Sequence, residues 1–86
     1  MIIRYSPNFS KVLKKKLTKQ PPLKTKLSKQ IKLFQKDMRH PSLKLHKLKG
    51  KRADEFSFWI AGDIRILFVF VEDCVYFTDI VTHDEY

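Results

Sequence analysis

Three groups of residues in this chain are of types that do chemistry. Arg65 is the only Lys or Arg in the last 34 residues, and it stands at the start of the apolar run GDIRILFVFVED. An unpaired buried guanidinium costs several kcal/mol, roughly, so Arg65 must be paired, exposed or functional. His83 sits in the closing THDEY, where an imidazole that titrates near neutral pH can give or take a proton. A histidine on its own is more often a plain surface residue, and His40 and His46 carry that reading with less support. The segment LHKLKGKR, from Leu45 to Arg52, sets Lys47, Lys49, Lys51 and Arg52 around leucine anchors and a glycine. Such a cluster suits phosphate contacts, or an edge strand guarded by lysines against aggregation. Trp59 and Tyr86 can stack on bases, although each is more often packing. No His, Cys and Asp cluster has metal-ligand spacing, and no Gly-rich phosphate loop or Ser/His/Asp arrangement is visible, so neither metal nor cofactor is expected.

The charge is segregated. Residues 1–52 hold 17 of the 18 Lys and Arg and one acid, Asp37, for a net of +16, while residues 53–86 hold one base and eight acids, for −7. A basic half of this kind suits a polyanion, because Lys and Arg that neutralise phosphates release counterions. A solvated Lys-rich helix surface is the plainer alternative. Eighty-six residues make one small domain, expected to span 1–86. A single cysteine, Cys74, allows no internal disulfide, and with no charged-then-apolar leader the expected setting is the cytoplasm. The longest apolar run, 66–71, is too short to span a bilayer, so no membrane partner is expected.

The elements that position these groups follow from periodicity. A short strand is expected over 1–5, then a helix over 7–18 with Ser6 as N-cap, Pro7 as first residue and an apolar stripe of Phe9, Val12, Leu13 and Leu17. Gln20-Pro21-Pro22 breaks it. A second helix carries Leu23, Leu27, Ile31, Phe34 and Met38 on one stripe and ends at His40-Pro41. After Pro41 the period changes to two, predicting a strand over 43–50 and then strands over 55–61, 64–72 and 75–82 with tight turns. The fold class is α+β in the order β-α-α-β-β-β-β: an N-terminal strand, an αα-hairpin and a four-strand antiparallel meander, with the helices on one face of the sheet. Alternation puts Ile64, Ile66, Phe68 and Phe70 toward the helices, matched by Phe56, Phe58 and Ile60. Arg65, Leu67, Val69 and Val71 then share the other, partly wet face with Ser57 and Trp59.

The run from Leu45 to Tyr86 resembles the RelE/ParE superfamily of toxins from type II toxin–antitoxin modules. The superfamily pattern is L-x-K/R-L-x-G, a strand, D-x-R-I/L-x-F/Y, and a last strand closing in I-x-x-H/R with a nearby aromatic. LHKLKG (45–50), DIRILF (63–68) and residues 80–86 answer these parts in order. The resemblance implies a metal-free mRNA interferase of the RelE, YoeB and YafQ kind. Such toxins act on mRNA in the ribosomal A site, inhibit translation and are neutralised by a cognate antitoxin.

Cleavage would use the 2′-hydroxyl as nucleophile and leave a 2′,3′-cyclic phosphate and a 5′-hydroxyl. That chemistry wants a base, a cation facing the phosphorane and an acid for the leaving oxygen. Carried over, Arg65 matches the arginine on the scissile phosphate, His83 the general acid and Tyr86 the aromatic that orients the substrate. Lys47, Lys49, Lys51, Arg52 and Trp59 would hold mRNA or ribosomal RNA. The chain departs from the RelE pattern by carrying Ser57 and Trp59 where that pattern has lysines, which leaves Asp79 or Glu55 as the base. The gap from His83 to Tyr86 is also one residue shorter than usual. Two other readings stay open: a ParE-type toxin that inhibits DNA gyrase without cutting RNA, and a degenerate member that only binds RNA or antitoxin.

Overall fold

The computed structural model describes residues 2–50 and 53–82. Strand β1 (Ile2–Tyr5) leads into helix α1 (Pro7–Lys19). The Ser6 Oγ accepts the Phe9 N–H at 2.9 Å and Pro7 occupies the first turn, as capping chemistry requires. Pro21 and Pro22 turn the chain into α2 (Leu23–Lys36). A short 3₁₀ turn, Pro41–Leu43, follows, then β2 (His46–Lys47), β3 (Phe56–Ala61), β4 (Ile64–Val71) and β5 (Cys74–Thr82). The sheet order is β1-β5-β4-β3-β2, with β1 parallel to β5 and the remaining neighbours antiparallel. This is the α+β order expected from periodicity.

The helices bury one face of the sheet. Phe9, Leu23, Leu27 and Phe34 meet Phe58, Ile60, Ile64, Ile66, Phe68, Phe77 and Ile80. Phe34 stacks on Phe58 with ring centroids 4.5 Å apart and meets Phe68 and Phe77 edge-on, so aromatic packing holds α2 to three strands. Gln30 is a polar residue on the buried stripe of α2. It is explained by a bulge between Trp59 and Ala61, where the ladder leaves the Trp59 carbonyl to be met by the Gln30 amide at 3.0 Å. A second bulge lies at Thr78, between the pairs Leu67–Asp79 and Phe68–Phe77. The Thr78 carbonyl accepts from Ser6 Oγ at 3.2 Å and Asn8 Nδ2 at 2.9 Å, which ties the start of α1 to β5. Ser6→Ala removes the helix cap and the Ser6 bond of this tie while leaving the Asn8 bond, so a loss of about 1 kcal/mol or slightly more is expected in urea unfolding.

Three expectations are corrected. The strand over 43–50 shrinks to His46–Lys47, because Pro41 starts a 3₁₀ turn capped by His40 Nδ1 and Lys44 closes it at φ 48°. Leu43 is fully buried and plugs the core from that turn. Phe70 does not join the core row; it is 49% exposed, since the helix layer covers β4 only as far as Phe68. The face away from the helices is also drier than its reading as partly wet implies. Leu48, Leu67 and Val81 form a small apolar cluster there, with Leu48 held by an N–H bond to the Glu55 carbonyl at 2.9 Å.

Candidate functional site

Arg65 lies on that second face. It stands opposite Trp59 of β3 and Val81 of β5 and is half-buried. Its side chain leans along the diagonal to Ser57, whose Oγ accepts from Nε at 2.9 Å, and Nη2 donates to the Lys44 carbonyl. Ser57 is fully buried, so this bond satisfies a hydroxyl that water does not reach. Both acceptors are neutral, and among the described residues no carboxylate pairs with the guanidinium. Arg65 is therefore neither a core charge nor unpartnered.

Trp59 forms the flank of this site. Its indole N–H donates to the Gly62 carbonyl at 2.7 Å, and the Lys44 ammonium lies 4.8 Å from its ring centroid. The turn Gly62-Asp63 permits that bond because Gly62 takes φ 54°, a left-handed value that suits glycine. Lys44 thus serves the site twice, with its carbonyl on Arg65 and its ammonium over Trp59.

Register decides which other groups share the face. His46 pairs with Ser57, Ser57 with Leu67, and Leu67 with Asp79, so His46 and Asp79 end the row that crosses the sheet beside Arg65. His46 is exposed. Asp79 is partly buried and its Oδ1 accepts the Ile80 N–H at 2.8 Å. Glu55 accepts from the Thr78 hydroxyl at 2.8 Å, across β4. Lys47 goes the other way: it pairs with Phe56, and its ammonium lies 5.9 Å from that ring, on the helix side of the sheet. Lys49 is exposed. Lys51, Arg52, His83 and Tyr86 lie outside the described residues.

Sequence reading passed over two members of this arrangement. Ser57 looked like a missing cation, yet it is the hydroxyl that holds Arg65. His46 looked like one more polar residue of a basic strand, yet it faces the same surface as Arg65. Parity within one strand cannot relate His46 to Arg65, because β2 is short and its register with β3 is set by tertiary structure.

Among the described residues, most of the basic charge sits elsewhere. Residues 7–36 carry ten lysines and no acid. All but Lys16 of these lysines are exposed on the helix layer, across the sheet from Arg65. The like-charge pairs Lys11–Lys15, Lys15–Lys19 and Lys32–Lys36 are spaced i, i+4, each costing roughly 0.2–0.5 kcal/mol in an isolated helix.

No family model matches the sequence, and no curated protein matches it in sequence. Solved structures do match in fold. YafQ from E. coli superposes with a TM-score of 0.79 at 20% identity, covering 95% of this chain and 92% of YafQ. The YoeB/ParE toxin from Agrobacterium tumefaciens gives 0.79 at 14% identity, covering 96% of this chain and 99% of that one. YafQ in the E. coli DinJ–YafQ toxin–antitoxin complex gives 0.76 at 21% identity over 95% of this chain and 91% of that one. The chain has the fold of the YafQ and YoeB toxins.

Proposed function

We propose that the chain is the toxin of a type II toxin–antitoxin system and a metal-independent endoribonuclease that cuts mRNA on the ribosome. The observation that carries this reading is a guanidinium held on the helix-free face of a YafQ-like fold, by neutral groups that leave its charge to a phosphate. The 2′-hydroxyl attacks the adjacent phosphorus, a base takes its proton, and the P–O5′ bond breaks as an acid protonates the departing 5′-oxygen. The products are a 2′,3′-cyclic phosphate and a 5′-hydroxyl. Arg65 offsets the charge that builds on the phosphorane, where oriented donors act most strongly. DNA, lacking the nucleophile, is not a substrate.

His83 is the acid in this scheme and Tyr86 orients the substrate. Asp79 or Glu55 was the base expected from the sequence. His46 joins them, because register places its imidazole on the face of Arg65 while Glu55 is engaged with Thr78. His46→Ala and His83→Ala are each expected to slow cleavage by about 10²-fold, the usual worth of one proton-transfer group. Single-turnover assays on programmed ribosomes read this directly, and two variants at the parental rate would remove both histidines from the scheme.

The lysine-covered helices supply a second contact, to ribosomal RNA or to the antitoxin. E. coli YafQ is found with DinJ in a toxin–antitoxin complex, and an acidic partner suits ten lysines without a single acid. Induction of the protein followed by mapping of mRNA 5′ ends, with and without translation, tests the function. Translation-dependent new ends support it. Intact mRNA with loss of plasmid supercoiling would point instead to a gyrase-directed toxin.

A further inference from the structure

A guanidinium has five N–H bonds on a rigid plane, and a phosphate is gripped best by two parallel ones on a single edge. In Arg65 the side-on edge is already used: Nε–H goes to Ser57 Oγ at 2.9 Å and one N–H of Nη2 to the Lys44 carbonyl. Among the described residues, the end-on edge, Nη1 with the second N–H of Nη2, has no partner. We propose that Ser57 and the Lys44 carbonyl form a socket that fixes the guanidinium plane and presents this end-on edge to a phosphodiester, making Ser57 a positioning residue for Arg65. The proposal rests on the endoribonuclease reading and deepens it, since it says how the phosphate is held.

Three features support a built socket. Ser57 is 0% exposed, so its hydroxyl cannot swing out to water and its place relative to β4 is set by the strand pair. Arg65 is paired in register with Trp59, yet its Nε bonds the diagonal neighbour, so the side chain is drawn along the sheet. Lys44 adopts φ 48°, an uncommon value for a residue with a side chain, at the point where its carbonyl meets Arg65 and its ammonium covers Trp59. A serine at this position supplies direction where a lysine would supply a second charge.

Ser57→Ala in the full chain is expected to slow single-turnover cleavage on programmed ribosomes by about 10- to 100-fold, the scale on which a misplaced catalytic group is felt. Ser57→Thr, which keeps the hydroxyl, restores most of the rate. In an Arg65→Ala background, Ser57→Ala makes no further difference, because the hydroxyl acts only through the guanidinium. An equal loss in both backgrounds would mean a purely structural role and overturn the proposal, as would Ser57→Ala at the parental rate. NMR of the parent protein reads the socket even where a variant does not fold: the Arg65 Nε–H is expected to exchange slowly with water. Fast exchange in an active parent overturns the socket alone, whereas a parent that cuts no RNA overturns the endoribonuclease reading and Ser57's role with it.

Discussion

Arg65→Ala is expected to reduce message cleavage by about 10²–10³-fold, the range found when one oriented donor to a developing oxyanion is removed. The loss has two sources. In the proposed reaction, the charge that would face the phosphorane disappears, and so does the planar fork that would hold the phosphate. Arg65→Lys separates them, since an ammonium keeps the charge but has neither the fork nor the Nε–H that Ser57 receives. The expected order of rates is parent, then Lys, then Ala, with Lys closer to Ala if geometry matters more than charge. The fold should survive. Ser57 loses the partner of a buried hydroxyl, at a cost of about 1–3 kcal/mol, while Lys44 is exposed and its carbonyl can turn to water. Circular dichroism of the variant beside the cleavage assay checks both halves. A folded Arg65→Ala protein that cuts at the parental rate would end the assignment.

The largest effect on stability is expected at Phe34. Its ring is fully buried, stacked on Phe58 at 4.5 Å and edge-on to Phe68 at 5.0 Å and Phe77 at 5.9 Å. Truncation to alanine removes that packing and opens a cavity between α2 and three strands, a change that costs about 3–5 kcal/mol. A domain of this length holds only about 4–13 kcal/mol in total by the usual per-residue range, so the variant is expected to lose a large share of its stability. Thermal unfolding should drop by roughly 15 °C or more. Phe34→Leu keeps most of the volume and should lose less than half as much. A fall of only a few degrees for Phe34→Ala would show that α2 is held mainly by other contacts.

The two predictions draw on parts of the chain that were unequally legible. Phe34 was readable as a core residue because the apolar stripe of α2 repeats at helical spacing, and burial of Leu23, Leu27 and Phe34 follows that stripe. Gln30 broke the pattern, and only the bulge in β3 explains it. Likewise, strict alternation located Ile66 and Phe68 in the core and Arg65 on the other face, but it extended the core to Phe70, where no helix remains to cover the ring. Alternation describes a strand's two sides; it does not say where the opposing layer stops.

By itself, the sequence determined the element order, the helix stripes, the separation of basic and acidic halves and the side of the sheet on which Arg65 stands. These depend on local rules: capping by Ser6, breakage at Pro21 and Pro22, and a change of period after Pro41. Only the tertiary structure decided what Arg65 touches. Ser57 lies eight residues away and Lys44 twenty-one, and their meeting depends on strand register and on one left-handed residue in a turn. It also set His46 on the face of Arg65 and Lys47 on the opposite one, across two neighbouring positions of a two-residue strand. Pairing register is a sum over contacts remote in sequence, and a one-residue shift would exchange those two faces.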